Sequence, residues 1–181
     1  KFKSVCLKPT SLCVGNKVIS RTWTVTDACG NKTTSTQTIK IIDASSPTWI
    51  TGADALNTSI ECNNPEALAN AQSLSPIAKD NCDTDVSNIT KVSGAFVSSS
   101  ECANAGTYTN TWTVNDDCGN TSAVFTQVIT IQDTTAPTWS TLATALNTTV
   151  ECSDAEALAT AQAAFPAATD LCDTDVSNIT K

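Results

Sequence analysis

The chain has 181 residues, a formal net charge of −8 at pH 7 and a pI near 4.3. This acidity disfavours nucleic acid and anionic membranes as partners, because both attract basic patches; its two interpretations are solubility, which we favour, and calcium recruitment. Hydrophobic residues make up 40% of the chain and aromatic residues only 5%, so the core must be small, while 31 threonines favour strands and no apolar stretch reaches membrane-spanning length.

The first predicted element is a β-hairpin within residues 1–43, where apolar and polar side chains alternate. A polar segment that contains a proline, residues 43–47, follows the hairpin and cannot continue a strand. We interpret residues 1–43 as the C-terminal part of one repeat, whose hairpin is only marginally stable without a partner. Its apolar face carries Trp23, Val25, Ile39 and Ile41.

A strand and a short helix open the next segment. Residues 58–62 are predicted to form the strand. Asn64 and Pro65 are typical of a helix start, with asparagine at the N-cap and proline at the first helical position. A second copy of this helix start is predicted at Asp154 and Glu156. Because each helix spans barely two turns, packing and covalent constraint must hold it.

Three further strands are predicted at 86–92, 108–115 and 125–131. The turn between the last two contains Gly119 and Asn120, and either of them can take a positive φ. We interpret Trp112, on the 108–115 strand, as a core anchor. Short alternating strands and a late tryptophan favour an all-β, immunoglobulin-like sandwich with one short helix per repeat.

The sequence repeats with a period of about 90 residues, a length that suits an array of small domains. Residues 44–91 and 134–181 align without gaps and are identical at 30 of 48 positions. We therefore predict a complete repeat at 44–133, with the N-terminal part of the next repeat at 134–181. Each end part is expected to be completed by more of the same polypeptide or by the opposite half of a neighbouring copy.

Cysteine usage indicates disulfides in an oxidising, extracellular setting. The chain has nine cysteines, no histidine and no CxxC pair, so a zinc site is disfavoured. Cys6 has no counterpart in the other copy, and its partner is left open. The other eight recur at matching positions and are the predicted disulfide cysteines: Cys13, Cys29, Cys62, Cys82, Cys102, Cys118, Cys152 and Cys172.

Four cysteines of the complete repeat allow three pairings. We favour Cys62–Cys82, which closes the excursion with the helix, and Cys102–Cys118, which ties the start of the hairpin to its turn. Each bridge is expected to stabilise the domain by about 3 kcal/mol. A Cys62–Cys118 bridge across the sandwich is the alternative.

Clustered aspartates are the remaining candidates for chemistry. Their carboxylates can bind calcium, a hard cation, or cap turns around the cysteines, and we favour the capping interpretation. An enzyme is not expected, since without histidine no Ser-His or Cys-His nucleophile system can exist. No cofactor other than calcium is suggested. The calcium candidates are Asp80, Asp83, Asp85, Asp170, Asp173 and Asp175.

Two motifs carry a family resemblance. Thr-Trp-Thr-Val-(Thr/Asn)-Asp-(Ala/Asp)-Cys-Gly-Asn stands at 22–31 and 111–120, and Thr-Gln-x-Ile-x-Ile-x-Asp stands at 36–43 and 126–133, before a Pro-Thr-Trp sequence. The chain resembles the HYR-like, immunoglobulin-like tandem repeats of large bacterial surface proteins. It is most similar to gliding-motility adhesins exported by type IX secretion.

The resemblance implies a structural and adhesive repeat segment of a long cell-surface filament or adhesin, which acts in attachment and gliding motility. The alternative is a carbohydrate- or protein-binding immunoglobulin-like module. Expected partners are neighbouring repeats or copies of the same protein, and surface glycans or proteins. The expected location is extracellular, at the cell surface.

Overall fold

The structure is a computed structural model that describes residues 4–5, for their backbone only, and residues 13 and 16–181. Cys6 lies outside the described residues. The described part is mostly β-sheet with two short helices and two disulfides, which confirms the all-β class and is consistent with an immunoglobulin-like domain. No helix in the described residues is long and apolar enough to cross a membrane. In chain order the elements are β1 (Ser4–Val5), β2 (Lys17–Thr26), β3 (Lys32–Ile41), β4 (Thr48–Trp49), β5 (Thr58–Glu61), α1 (Pro65–Ser73), β6 (Ala78–Lys79), β7 (Ile89–Ser93), β8 (Val97–Ser98), β9 (Gly106–Val114), β10 (Phe125–Gln132), β11 (Thr138–Trp139), α2 (Ala155–Ala163) and β12 (Ala168–Thr169).

The chain divides into two compact units, and each combines parts of the 44–133 segment with one flanking segment. The first unit contains the described residues up to 57, with 73–95 and 109–128. The second contains 58–72, 96–108 and 129–181. The repeat boundaries at 43/44 and 133/134 are sequence boundaries and stay a prediction.

In the first unit, β1, β2 and β3 form an antiparallel sheet. Strands β2 and β3 are the predicted hairpin, paired from Lys17 with Ile41 to Thr26 with Lys32. Among the described strands, β3 pairs with β2 alone and is the edge of this sheet. The apolar face is open, with Trp23 40% and Val25 65% exposed. The hairpin does not bury this face by itself, as the sequence predicted.

The core of the first unit is built around Trp112, which is only 2% exposed. Its strand β9 pairs with β7, and its ring lies 6.0 Å from the ring of Phe125 in an edge-to-face arrangement. The ring of Trp49 packs against the same phenylalanine at 5.5 Å, and the Trp49 Nε1 donates a hydrogen bond to the Ala123 carbonyl at 2.7 Å. The prediction that Trp112 anchors the core is confirmed.

In the second unit, β5 adds to β10 as a parallel strand, with Thr58 opposite Ile129 and Glu61 opposite Gln132. Alternation buries every second residue of β10, so Ile129 and Ile131 face a small core. Helix α1 packs on this core and is capped by Asn64, whose Oδ1 accepts from the Ala67 amide at 3.0 Å. The predicted strand and helix are both confirmed. The core consists of Ile60, Ala71, Ile129 and Ile131, with Cys62, Ala67, Leu68, Phe96 and Tyr108 against it.

The second copy of the strand-and-helix motif is less complete. Helix α2 begins as predicted, with the Asp154 Oδ1 accepting from the Ala157 amide at 2.8 Å, but it has no buried residue and Leu158 is 45% exposed. Residues 148–151, the counterparts of β5, are described and form no strand. The N-cap of α2 therefore forms although this helix lacks the core packing that α1 has.

We expect Trp112→Ala to lower the unfolding free energy by about 3–5 kcal/mol, because it removes the largest buried side chain of the first unit. Trp23→Ala is the matched control at the equivalent position of the open hairpin, and it should cost about 1 kcal/mol or less in a dilute, monomeric sample. Denaturant unfolding followed by circular dichroism measures both. Equal losses would contradict the assignment of the core.

Candidate functional site

Four of the described cysteines lie in short turns in which an aspartate precedes the cysteine by two residues: Cys29, Cys82, Cys118 and Cys172. The Asp116 Oδ1 accepts from the amides of Cys118 at 2.9 Å and Asn120 at 2.7 Å. The Asn120 Nδ2 donates to the Asp116 Oδ2 at 2.7 Å. Gly119 has φ +88°, a conformation that an L side chain rarely adopts, and this confirms the predicted positive φ. The turn holds the backbone of Cys118 in place.

The first hairpin contains the same turn. The Asp27 Oδ1 accepts from the amides of Cys29 at 3.0 Å and Asn31 at 2.8 Å, and Gly30 has φ +89°. The side-chain and backbone amides of Asn31, followed by backbone bonds from Cys29 and Gly30, lower the pKa of Asp27. At Asp116 burial raises the pKa, but the hydrogen bonds outweigh it and the net shift is downward.

A second kind of turn holds the other pair of equivalent cysteines. The Asp80 Oδ1 accepts from the amide of Cys82 at 2.8 Å and from that of Asp83 at 3.0 Å. The Asp170 Oδ1 accepts from the amide of Cys172 at 2.8 Å and from that of Asp173 at 3.0 Å. These backbone bonds lower the pKa of Asp170. Both copies therefore present this cysteine with the same local geometry.

The disulfides join different copies of the repeat. Cys13 is bonded to Cys118 in the first unit, and Cys62 is bonded to Cys172 in the second, with Cα separations of 4.7 and 5.8 Å. The predicted Cys62–Cys82 and Cys102–Cys118 bridges are wrong, and the alternative Cys62–Cys118 bridge is not formed either. Among the described cysteines, four are free thiols: Cys29, Cys82, Cys102 and Cys152.

Each bridge nevertheless joins counterparts of the predicted partners. Cys172 is the counterpart of Cys82, and Cys13 is the counterpart of Cys102. The favoured pairing therefore joins the right kinds of position, but each bond takes one of its two cysteines from a different copy. The sequence distance between two cysteines has little influence on which of them pair. Closing a loop of about 110 residues costs only about 1.5 kcal/mol more in entropy than closing one of about 20 residues.

The aspartates proposed as calcium ligands act as turn acceptors. The Asp83 Oδ1 accepts from the Asp85 amide at 3.0 Å, and its Oδ2 accepts from the Asp117 amide at 2.9 Å. The Asp173 Oδ1 accepts from the Asp175 amide at 2.9 Å. These bonds support the capping interpretation, and calcium binding stays a prediction.

The described residues contain two clusters of sulfur and carboxylate oxygen atoms, and the atoms of each cluster all lie within 4.8 Å of one another. One cluster is Asp43, Asp80 and Cys82, and the other is Cys62, Asp133 and Cys172. Of the six calcium candidates only Asp80 belongs to one of these clusters; the other five belong to neither: Asp83, Asp85, Asp170, Asp173 and Asp175. Asp43 and Asp133 were not among the sequence candidates, although each ends the Thr-Gln-x-Ile-x-Ile-x-Asp motif.

Asp43 is buried beside a free thiol. It is 8% exposed, and its amide donates to the Asn16 Oδ1 at 2.7 Å. Burial raises the pKa of the Cys82 thiol, and the nearby negative charges of Asp43, Asp80 and Asp116 raise it further. Cys82 occupies the same setting in which Cys172, beside Asp133, is bonded to Cys62.

Residues 51–131 match the family model of the HYR-like domain with 4 cysteines. The match supports the HYR-like family for this segment. Its four cysteines are the ones that repeat along the chain: Cys62, Cys82, Cys102 and Cys118. HYR-like domains are associated with cell-surface, adhesion-type proteins, and together with the disulfides the match suggests an extracellular domain. No curated protein matches the chain.

We expect reduction to destabilise the protein far more than chelation. The bridges close loops with sequence separations of 105 and 110, and loops of this size correspond to about 5 kcal/mol each in the loop-entropy estimate. A reductant should lower the melting temperature by about 10 °C or more, while EDTA should change it by less than about 2 °C. Differential scanning calorimetry makes the comparison. A larger effect of EDTA would show that a metal holds the fold.

The Asp116 turn should make stability depend on pH. Because the folded pKa lies below the ordinary value of 3.8, the stabilisation is fully present above that value and is lost as the pH falls through the folded pKa. Asp116→Asn should cost about 2 kcal/mol at pH 7, since a charged acceptor of several hydrogen bonds is lost. Its difference from the parent should shrink by pH 3.

The neighbouring exposed residue supplies the control. Asp117→Asn leaves the turn acceptor in place and should change the unfolding free energy by less than about 0.5 kcal/mol. Urea unfolding at pH 7 and pH 3 measures all three proteins. A constant difference between Asp116→Asn and the parent at both pH values would show that the carboxylate charge does not hold the turn.

Proposed function

We propose that the chain is a structural and adhesive segment of a long cell-surface filament or adhesin built from tandem repeats, and that it acts in attachment. The observation that carries this proposal is the path of the disulfides. Cys13, in the 1–43 segment, is bonded to Cys118, and Cys62 is bonded to Cys172, in the 134–181 segment. Both bonds connect the 44–133 segment to a flanking one, so three successive parts of the array are covalently tied.

Such ties suit a protein that carries tension. The cores in both units are small, and a single hairpin such as β2–β3 is marginally stable in water. When a pulling force is applied at the ends of the chain, the two disulfides limit how far the polypeptide can extend. The HYR-like match supports a role at the cell surface, and the resemblance to gliding-motility adhesins supports motility and type IX export as part of the same proposal.

The composition supports a role without catalysis. The chain contains no histidine, and its clustered carboxylates accept backbone hydrogen bonds in turns. Partners in this proposal are further repeats of the same type and the surface to which the filament attaches. The location that follows is extracellular, on the cell surface.

Single-molecule stretching between the chain termini tests the load-bearing role. In the oxidised protein the Cys62–Cys172 bond shortens the covalent path, so the final extension should be about 250 Å, against about 600 Å after reduction. The oxidised chain should also require a higher force to unfold. Equal extensions or equal forces in the two states would overturn the proposal.

A glycan array separates this role from the alternative of a carbohydrate-binding module. The oxidised chain should bind no glycan selectively, because the proposal assigns its function to reach and stiffness. Selective binding that survives reduction and competes with free glycan would favour the binding module.

A further inference from the structure

The free thiols follow a rule. Each of the four repeating cysteine positions occurs twice in the described chain, once in a disulfide and once as a thiol. The bonded set is Cys13, Cys62, Cys118 and Cys172, and the thiol set is Cys102, Cys152, Cys29 and Cys82 in the same order of positions. No described position has both of its cysteines bonded or both free. The free thiols are therefore the unfilled half of a regular pattern.

Both formed bridges run in the same direction along the sequence. Cys13 is bonded to the complementary position one repeat further on, Cys118, and Cys62 is bonded to the complementary position one repeat further on, Cys172. If the free thiols follow the same rule, Cys102 bonds to the cysteine that is equivalent to Cys118 in the following repeat. Cys152 likewise bonds to the cysteine that is equivalent to Cys172 in the following repeat. In a second copy of the chain that follows head to tail, those counterparts are Cys29 and Cys82.

Two of the free thiols, Cys29 and Cys82, lie in the same turn geometry as their bonded counterparts. Cys29 and Cys118 lie in aspartate-capped turns of the same kind. The amide of Cys29 donates a hydrogen bond to Asp27 at 3.0 Å, and the amide of Cys118 donates one to Asp116 at 2.9 Å. Cys82 and Cys172 each donate their amide to an aspartate at 2.8 Å. Cys29, Cys82 and Cys152 are exposed, and Cys102 is half-buried. No rearrangement of these turns is needed before the thiols can bond.

The two ends of the chain carry complementary halves of one core. In the second unit β5 lies parallel to β10, and Ile131 is 7% exposed. The counterpart of Ile131 is Ile41, at the end of the edge strand β3, and it is 43% exposed. The counterparts of β5 are residues 148–151, which form no strand. Strand β3 thus offers an open edge, and residues 148–151 are the segment that fits it.

We propose that the chain joins head to tail with a second copy of itself, in which residues 148–151 of one copy add as a parallel strand to β3 of the next, and Cys29–Cys102 and Cys82–Cys152 disulfides lock the junction. By the register of the intact pair, Val150 lies opposite Ile41. The inference rests on the repeat array proposed above and adds the register and the covalent partners. In a longer array, every repeat makes two bonds forward and two bonds back.

Formation of each bond requires a two-electron oxidant, and a small disulfide such as oxidised glutathione suffices. One protein thiolate attacks the glutathione disulfide and releases one glutathione thiolate. The partner thiolate then attacks the protein sulfur of the mixed disulfide and releases the second glutathione. Two protein thiols thereby lose two electrons and two protons, and one oxidised glutathione becomes two reduced glutathione molecules. The acidic surroundings of Cys82 raise its pKa and so disfavour its thiolate as the attacking group.

Two complementary double variants test the pairing, each in a Cys6→Ser background. Cys29→Ser with Cys82→Ser removes the two thiols that a chain offers to the copy before it. Cys102→Ser with Cys152→Ser removes the two thiols that a chain offers to the copy after it. All four bonded cysteines are left intact. In a glutathione redox buffer each variant alone should stay monomeric on a non-reducing gel, while their equimolar mixture should form a covalent dimer in at least about tenfold higher yield.

Peptide mapping of the dimer should find Cys29 linked to Cys102 and Cys82 linked to Cys152. Hydrogen exchange should show new protection at 148–151 and at 39–42 in the mixture. Equal dimer yield from either variant alone, other linked peptides, or unchanged exchange at both segments would overturn the inference. Matching melting temperatures of the variants and the parent confirm that the serine substitutions leave the fold intact.

This experiment is independent of the stretching measurement, which depends on the Cys62–Cys172 bond within one chain. A failed junction with a stiff, disulfide-limited chain would remove the head-to-tail contact and leave the load-bearing role. A chain that extends fully in its oxidised state would remove the proposed function whatever the variants do.

Discussion

The aspartate two residues before a cysteine is the constraint on which the rest of this structure depends. Its carboxylate accepts backbone amides at 2.7–3.0 Å at Asp27, Asp80, Asp116 and Asp170, so the backbone that carries the following cysteine is held in a hydrogen-bonded turn at each of these places. Aspartate can do this because its short side chain reaches the amides of the next few residues and its charge strengthens each bond. The acidity of the chain therefore has a structural use beside solubility.

The disulfides supply stability that the small apolar cores do not provide. The second unit has four fully apolar buried residues, and the first is centred on one tryptophan with its aromatic neighbours. Domains of this size are marginal when the apolar core is small. A bond that closes more than a hundred residues restricts the unfolded chain strongly, and each bond also joins the 44–133 segment to a flanking segment. In the proposed function, the same interaction that stabilises the fold also carries the load between the repeats.

The comparison of the two copies separates local from non-local effects. Helices α1 and α2 both form, because the N-cap side chain at Asn64 or Asp154 acts within one turn. Strand β5 forms and its counterpart at 148–151 does not, because a strand requires the edge of another strand. Likewise Trp112 is buried and Trp23 is 40% exposed, although both stand in the same Thr-Trp-Thr-Val sequence. Identical residues take different environments when only one copy has its partner.

The sequence by itself determined the β class, the hairpins, both helix starts, a positive φ in the turn at 119–120 and the periodic positions of the cysteines, since all of these depend on periodicity or on hydrogen bonds between near neighbours. Only the tertiary structure decided that Cys62 bonds to Cys172 rather than Cys82, and that Asp43 lies beside a thiol. Equivalent cysteines are chemically identical in two copies of a repeat, and loop closure hardly favours the nearer one. Which copy supplies the partner depends on how the folded chain brings the turns together, and no local pattern encodes that.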